Sequence, residues 1–435
     1  MNDKSGPLIS GTQGATPWRR WYYGWNIVAV CVVSQLAANG LATSSFSLFL
    51  HDWSEQFHCT ISTLQLGFVA YGSTNALISP LVGVLVDRYA IRLIFGVGLA
   101  SIAIMCLAVS VSTAAWQILV LYTVLLSVAI GCSDLLPANA VVSRWFVKRL
   151  GLALGLTALG QGFAGLIVPP LVAAAMPSLG WRMIWRIAGI TIGAAVVPIV
   201  LSVLRDRPTE REGLHYLTGK DAAQTHQHVD NGSGLTWHQI LKRRNFWLLV
   251  AVYLPLVASI SGCMTNFAPI ASSRGFNLQV SGTLLSVMSL SWIIATPLAG
   301  LVSDYFGNRL PLASLAFASA IGGMFLALGQ SVPTIGLGVV LIGLSGGFWP
   351  ILAAAIAAEF GPSNFGRAFG LLTIFLPVAI LAPFVVAKAQ EITGSYFPAL
   401  FSLAAMTAIG GSACLLMRDP RSPPDTVVAS SPLAP

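Results

Sequence analysis

Apolar stretches of roughly twenty residues recur from one end of the chain to the other, separated only by short polar breaks. Each is long enough to cross a hydrocarbon layer about 30 Å thick at a rise of about 1.5 Å per residue. Lipid offers no partner to a backbone amide, so a spanning segment must be a helix or part of a closed barrel. The stretches lack the two-residue alternation and the length near ten of barrel strands. They are therefore expected to be helices, at about 23–47, 63–86, 93–113, 118–143, 150–176, 184–204, 245–270, 280–303, 310–330, 334–357, 367–387 and 396–417. Composition supports this, because only 9% of residues are charged, against about 25% in soluble domains.

The formal charge of +8 does not point to nucleic acid, because the basic residues are scattered through short loops and form no patch. Their placement reports orientation instead. With an even number of helices and both termini on the cytoplasmic side, 23 Lys and Arg sort so that all but Arg182, Arg186, Arg274 and Lys388 lie on that side. The expected organisation is a cytoplasmic tail over 1–20, a six-helix bundle over 21–204, a cytoplasmic linker over 205–244, a second bundle over 245–417 and a disordered tail over 418–435. Trp18, Trp21, Tyr22, Tyr23 and Trp25 fit an interfacial belt at the first helix. That run is full length and shows no small-residue cleavage pattern, so it is expected to stay as a helix. Of six cysteines, Cys31, Cys106, Cys132, Cys263 and Cys414 lie in apolar runs with no Cys-x-x-Cys pair, which reads as buried small side chains. His226 and His228 in the linker read as solvated loop residues, and no metal or other cofactor is expected.

A phrase occurs twice. Pro80-Leu81-Val82-Gly83-Val84-Leu85-Val86-Asp87-Arg88, continuing to Arg92, returns 217 residues later as Pro297-Leu298-Ala299-Gly300-Leu301-Val302-Ser303-Asp304-Tyr305, continuing to Arg309. Both copies follow the second helix of a half. The glycine lets a neighbouring helix approach, and the aspartate can accept from another helix's N-terminal amides while pairing with an arginine. The phrase reads either as a latch closing the cytoplasmic face or as a tight turn that sets topology. Two such clamps in equivalent places suit halves that rock about a central site.

At these residues the chain resembles the major facilitator superfamily, whose loop between helices 2 and 3 reads Gly-x-x-x-Asp-Arg-x-x-x-Arg. Gly83, Asp87, Arg88 and Arg92 fit the first copy; Gly300, Asp304 and Arg309 fit the second, with Tyr305 in the arginine place. Tyr22-Tyr23-Gly24-Trp25, the run Ser143 to Arg149 leading to Gly151-Leu152-Ala153-Leu154-Gly155, and Gly180-Trp181-Arg182 resemble its monocarboxylate transporter and oxalate:formate antiporter branch. The resemblance extends from Trp21 to Met417. It implies an all-α fold of twelve transmembrane helices in two pseudo-symmetric six-helix bundles, alternating access, and proton-coupled uptake or exchange of small organic acids. Two departures stand out. Residues 280–303 contain no cation where related carriers place an arginine, so a carboxylate would need another donor. The helix-4 arginine of proton-driven drug antiporters is absent, with Ser127 four residues before Gly131.

Asp134 is the one acidic residue deep in an apolar segment. Nine residues before Ser143, it lies about 14 Å from the inner end, near the midplane. A charge there costs several kcal/mol unless paired, hydrated or protonated, so Asp134 reads as a proton carrier or substrate contact, or as a protonated group bonded to a neighbouring helix. Asn39, Asn139, Gln161 and Asn266 are the other amides at that depth, and each reads as a solute ligand or as interhelical glue. Trp349, beside Gly346, Gly347 and Pro350, reads as cavity wall or core. Pro255, Pro269, Pro377 and Pro383 are expected to kink their helices. Glu359 and Arg367 are expected either to join the latch with Asp87 or to form a solvated pair.

No Gly-x-Ser-x-Gly, His-Glu-x-x-His or phosphate-loop motif is present, so neither an enzyme nor an ATP-driven pump is expected. The expected function is a monomeric secondary carrier in the plasma (inner) membrane, importing a small organic acid with protons. The alternatives are export of an amphipathic molecule and, in a different class, a non-transporting sensor, which would carry a long soluble domain.

Overall fold

The computed structural model describes residues 22–146, 150–206, 236–361 and 364–417. Residues of the linker over 207–235, the two tails, Lys148 and Arg149 lie outside the described residues, and so do the side chains of Asp87 and Asp304. Everything regular among the described residues is helical. Among the described residues, ten stretches are long and apolar enough to span a membrane. One of them is two helices meeting at Gly180, and Ile61–Arg88, 28 residues long, adds another.

Twelve spans result. They are α1 (24–56), α2 (Ile61–Arg88), α3 (Ile91–Val111), α4 (115–145), α5 (150–179), α6 (181–203), α7 (Arg244–Ser272), α8 (Leu278–Phe306), α9 (Arg309–Leu328), α10 (332–360), α11 (365–393) and α12 (Phe397–Cys414). Gly180 has φ +68°, a backbone region that costs any residue with a Cβ. It turns the chain at the face opposite the linker, here the distal face, where α5 ends and α6 begins.

Several helices are less regular than their hydropathy suggests. α1 continues to Gln56 rather than ending near residue 47, through a π-helical turn at Gly40–Ser44. A π turn leaves carbonyls without their usual amide, and other donors take them: Ser45 Oγ donates to Gly40 O at 2.9 Å, and Tyr122 Oη to Ala42 O at 3.1 Å. α4 breaks at Asp134 (φ −102°, ψ −153°), which is the N-cap of Leu135–Trp145. Its counterpart α10 breaks at Gly346–Gly347. α11 is in three pieces, with Pro377 and Pro383 in the first turns of the second and third. Pro255 and Pro269, by contrast, lie inside the continuous α7.

Two of the four distal basic residues cap helices. Arg182 Nη1 donates to the carbonyls of Ser110 and Ser112 at the end of α3, at 3.1 and 2.9 Å. Arg274 donates to Leu326 O at the end of α9. A cation at a helix C-terminus satisfies orphan carbonyls and complements the dipole, so these exceptions to the charge asymmetry have structural work in equivalent places of the two bundles.

The halves meet along α5 with α8 and α2 with α11. Toward the distal face this seam is closed. The Ser62 backbone N–H donates to Glu391 Oε1 at 3.0 Å, Gln65 Nε2 to Thr265 O at 3.0 Å, and Ser286 Oγ to Leu166 O at 2.8 Å. A side chain at Gly282 would begin 2.9 Å from Pro169 O. Toward the linker face the same helices part. A Cβ at Gly72 would lie 2.6 Å from Ile380, yet at Gly83, about three turns along the same face, no heavy atom lies within 4 Å. Gly162 packs on Ile293, while Gly155 and Gly300, each about two turns toward the linker face, have open space. The molecule is closed distally and open toward the linker.

Candidate functional site

Where the closed seam gives way to the parted ends lies a cavity of about 160 Å³, built from both halves. α1 supplies Asn39, Thr43 and Ser44, α2 supplies Phe68 and Tyr71, and α5 supplies Gln161; α7 and α8 add Met264, Leu285, Met288, Ser289 and Trp292. The π turn of α1 is what places Asn39, Thr43 and Ser44 together at this depth, with Thr43 Oγ1 donating to Asn39 O at 2.6 Å. No lysine or arginine lines the cavity.

Asp134 stands behind Gln161. Gln161 Nε2 donates to Asp134 Oδ2 at 2.7 Å. Asn39 and the Leu135 N–H lie beside the carboxylate, yet Oδ1 is buried without a partner of hydrogen-bonding geometry. A buried acceptor left open costs about 1–3 kcal/mol, more when charged. One turn along α1 the Gln35 side-chain amide is likewise buried with neither atom partnered, packed against Gly160. Gln35, Asn39, Gln161 and Asp134 thus form one polar cluster inside the first bundle, with Gln161 and Asn39 reaching the cavity.

The break in α4 falls just before Pro137, which lacks the N–H and crowds the carbonyl four residues earlier, and Asp134 occupies the N-cap it leaves without a side-chain cap hydrogen bond. A helix N-terminus is where a carboxylate is tolerated best, because orphan amides and the dipole face it. Asp134 at the N-cap gives the half-helix below it such an end at membrane depth.

Other residues singled out from the sequence lie elsewhere. Asn266 is fully buried. It donates to Gly262 O and Pro383 O at 3.0 Å each and accepts from Gln65 at 3.1 Å, so it ties α7 to α11 and α2 in the distal seam and does not line the cavity. Trp349 is half-buried and packs against Phe348 and edge-on against Tyr253 in the second bundle, with ring centroids 4.8 and 5.8 Å apart, at the margin of that bundle's core. Asn139 is exposed on the linker side of Asp134. An amide facing hydrocarbon would lose its partners, so this face of α4 belongs to the parted, water-accessible side.

Of the latch residues, those whose surroundings are described do not meet across the two halves. Arg88 and Arg92 are exposed, and Gly83 and Gly300 have open space around them. Arg309 keeps its Nε buried without a partner. Glu359 is held within its own half, accepting from Asn245 Nδ2 at 2.7 Å and Arg243 Nη1 at 3.4 Å. Glu359 thus meets Arg243 and Asn245 where α7 begins against the end of α10; the side chain of Asp87, its expected latch partner, lies outside the described residues. The distal seam holds a different clamp, which sequence reasoning missed: Glu391 receives the first-turn Ser62 amide of α2 and the Lys388 ammonium at 3.0 Å. Tyr71, Thr43, Ser44, Ser289 and Trp292 were also missed. Serine, threonine and aromatic residues are common throughout apolar helices, and only Gln35, four residues before Asn39, carried a readable signal.

Comparison with known proteins places this geometry. Residues 32–376 match the family model described as Major Facilitator Superfamily. The chain is 22% identical over 357 residues to an uncharacterized MFS-type transporter, YcxA, of Bacillus subtilis, covering 80% of this chain and 83% of that protein. It is 23% identical to human monocarboxylate transporter 2, covering 86% of this chain and 81% of that protein. It is also 23% identical to the fujikurins efflux protein of Gibberella fujikuroi, covering 84% and 74%. Among solved structures, a bacterial homologue of the human lysosomal transporter Spinster, in an inward-facing and occupied conformation, superposes with a TM-score of 0.64 at 16% identity, covering 92% of this chain and 94% of that one. The family model across most of the chain, the two six-helix bundles and the cavity between them lead to one conclusion: this chain is a multi-pass membrane transporter, not an enzyme, and it belongs to the Major Facilitator Superfamily.

Proposed function

We propose that the chain imports a small organic monocarboxylate together with protons, by alternating access around the cavity between its halves, with the linker face cytoplasmic. One observation carries the coupling: Asp134, the acid at membrane depth, is bonded to Gln161, which itself lines the cavity. A proton on Asp134 removes the charge that burial penalises and leaves the cavity neutral for an anion. Loss of that proton on the cytoplasmic side restores repulsion and favours release. Unequal affinity for the two arrangements is what lets a gradient drive net movement. The charge asymmetry that retains Lys and Arg on the linker face supports the orientation.

Amphipathic export is the second reading, favoured by the Phe68, Met264, Met288 and Trp292 lining. Purified protein in proteoliposomes with an imposed pH gradient separates the two. Import requires acid outside to accelerate uptake of labelled acid and Asp134→Asn to remove that acceleration. Uptake of equal rate with and without the gradient would eliminate proton coupling.

A further inference from the structure

Three hydroxyls of the cavity wall, on Ser44, Tyr71 and Ser289, have no hydrogen-bond partner among the described residues, and two of them converge. Ser44 on α1 and Ser289 on α8 come one from each half, are both buried, and both face Gly165 of α5. A Cβ at Gly165 would collide with the Ser289 hydroxyl and lie 3.6 Å from that of Ser44, so a glycine is what lets them converge. Neither hydroxyl has a hydrogen-bond partner among the described residues. Both hydroxyls open onto the cavity, so the pair is ready to donate to something that enters.

Around that pair the wall is aromatic. Phe68 and Tyr71 form an edge-to-face pair with centroids 5.4 Å apart. Trp292 faces them from the other half, backed by the break in α10: a Cβ at Gly346 would lie 2.8 Å from its indole Cγ. The volume, about 160 Å³, matches the roughly 150 Å³ in which an engineered apolar cavity holds one benzene ring. With no cation in the wall, a second carboxylate would remain uncompensated in a low-dielectric site.

We infer that the substrate is a monocarboxylic acid carrying one aromatic ring, its carboxyl group received by Ser44 and Ser289 and its ring by Phe68, Tyr71 and Trp292. This rests on the carboxylate-import reading above and narrows it. Because the two hydroxyls belong to different halves, the bound carboxyl group bridges them.

The test is competition against labelled benzoate in proteoliposomes with acid outside, using lactate and succinate as competitors. Benzoate is expected to be transported and to be displaced by other single-ring acids, with lactate needing a concentration on the order of tenfold higher and succinate without effect. Ser44→Ala and Ser289→Ala are each expected to raise the benzoate KM by on the order of tenfold, the loss of one hydrogen bond to a charged group, with the maximal rate kept. Trp292→Leu, in protein that elutes as a single species, is expected to shift preference toward aliphatic acids. Lactate outcompeting benzoate, succinate entering, or an unchanged KM in both serine variants would overturn the inference and leave carboxylate import standing. Transport of no acid at all would overturn both.

Discussion

The two halves share a scaffold and divide the chemistry. Both break the fourth helix of the bundle partway along its length, α4 at Asp134 and α10 at Gly346–Gly347. In the first half the break presents a carboxylate bonded to Gln161; in the second it presents bare backbone, against which Trp292 lies. Both halves cap the end of their third helix with a distal arginine, Arg182 on α3 and Arg274 on α9. The doubled phrase is likewise complete in the first half and has Tyr305 for Arg88's equivalent in the second. The two halves thus satisfy the same helix ends in lipid with arginines from different places, the start of α6 and the turn after α7, and their titratable and shape-defining residues differ as well.

Five variants probe that division. The largest effect is expected from Asp134→Asn: gradient-driven uptake should fall to the level seen without a gradient, while exchange at equal pH persists. Loss of both would make Asp134 a structural group and remove the asymmetry of coupling. Gly346→Val comes next, because its side chain would have to displace Trp292. Overpacking of this kind costs about 1–3 kcal/mol, and substrate affinity should drop with pH coupling intact. A variant that instead lost coupling would place part of the proton machinery in the second half.

Glu391→Gln should act on the seam between halves. A hydrogen bond to a charged group is worth about 1.5–3 kcal/mol, so weakening the Glu391–Ser62 contact should shift the population toward a distally open state. Spin labels on Cys59 and on a cysteine at position 395, with the other cysteines replaced, should report a longer distance. An unchanged distance distribution would mean that Gln65, Asn266 and Ser286 hold the seam without Glu391. The smallest effect is expected from Arg182→Ala and Arg274→Ala. Each leaves helix-end carbonyls unsatisfied, at about 1 kcal/mol, and should lower the melting temperature in detergent by a few degrees to a similar extent. Strongly unequal losses would break the equivalence of the two caps.

Much of the architecture was legible in one dimension, because lipid makes hydropathy nearly sufficient. Twelve apolar runs gave twelve helices, and the phrase at Gly83 and Gly300 revealed the duplication. Asp134 stood out for the same reason: nothing else acidic lies so deep. Its contact Gln161 was readable as an amide at the same depth, though not as its partner.

The breaks at Asp134 and Gly346 and the π turn at Gly40–Ser44 were hidden within apolar runs, whereas the pieces of α11 begin at Pro377 and Pro383, which were expected to kink it. Hydropathy measures what a segment avoids and is silent on where its hydrogen bonds slip by one residue. Asn266 and Glu359 show the other limit. Each read as well for a solute contact or a gate as for a brace, and the choice came from Gln65 and Pro383 in one case and Arg243 and Asn245 in the other.

The chain's own order of residues therefore dictated that it crosses a membrane as two related bundles and that one carboxyl group sits at their heart, since burial energies act on each segment separately. Which amides reach the cavity, which hydroxyls converge at Gly165 and which end of the seam is shut depend on contacts between residues more than a hundred positions apart. Those arise only when the helices pack.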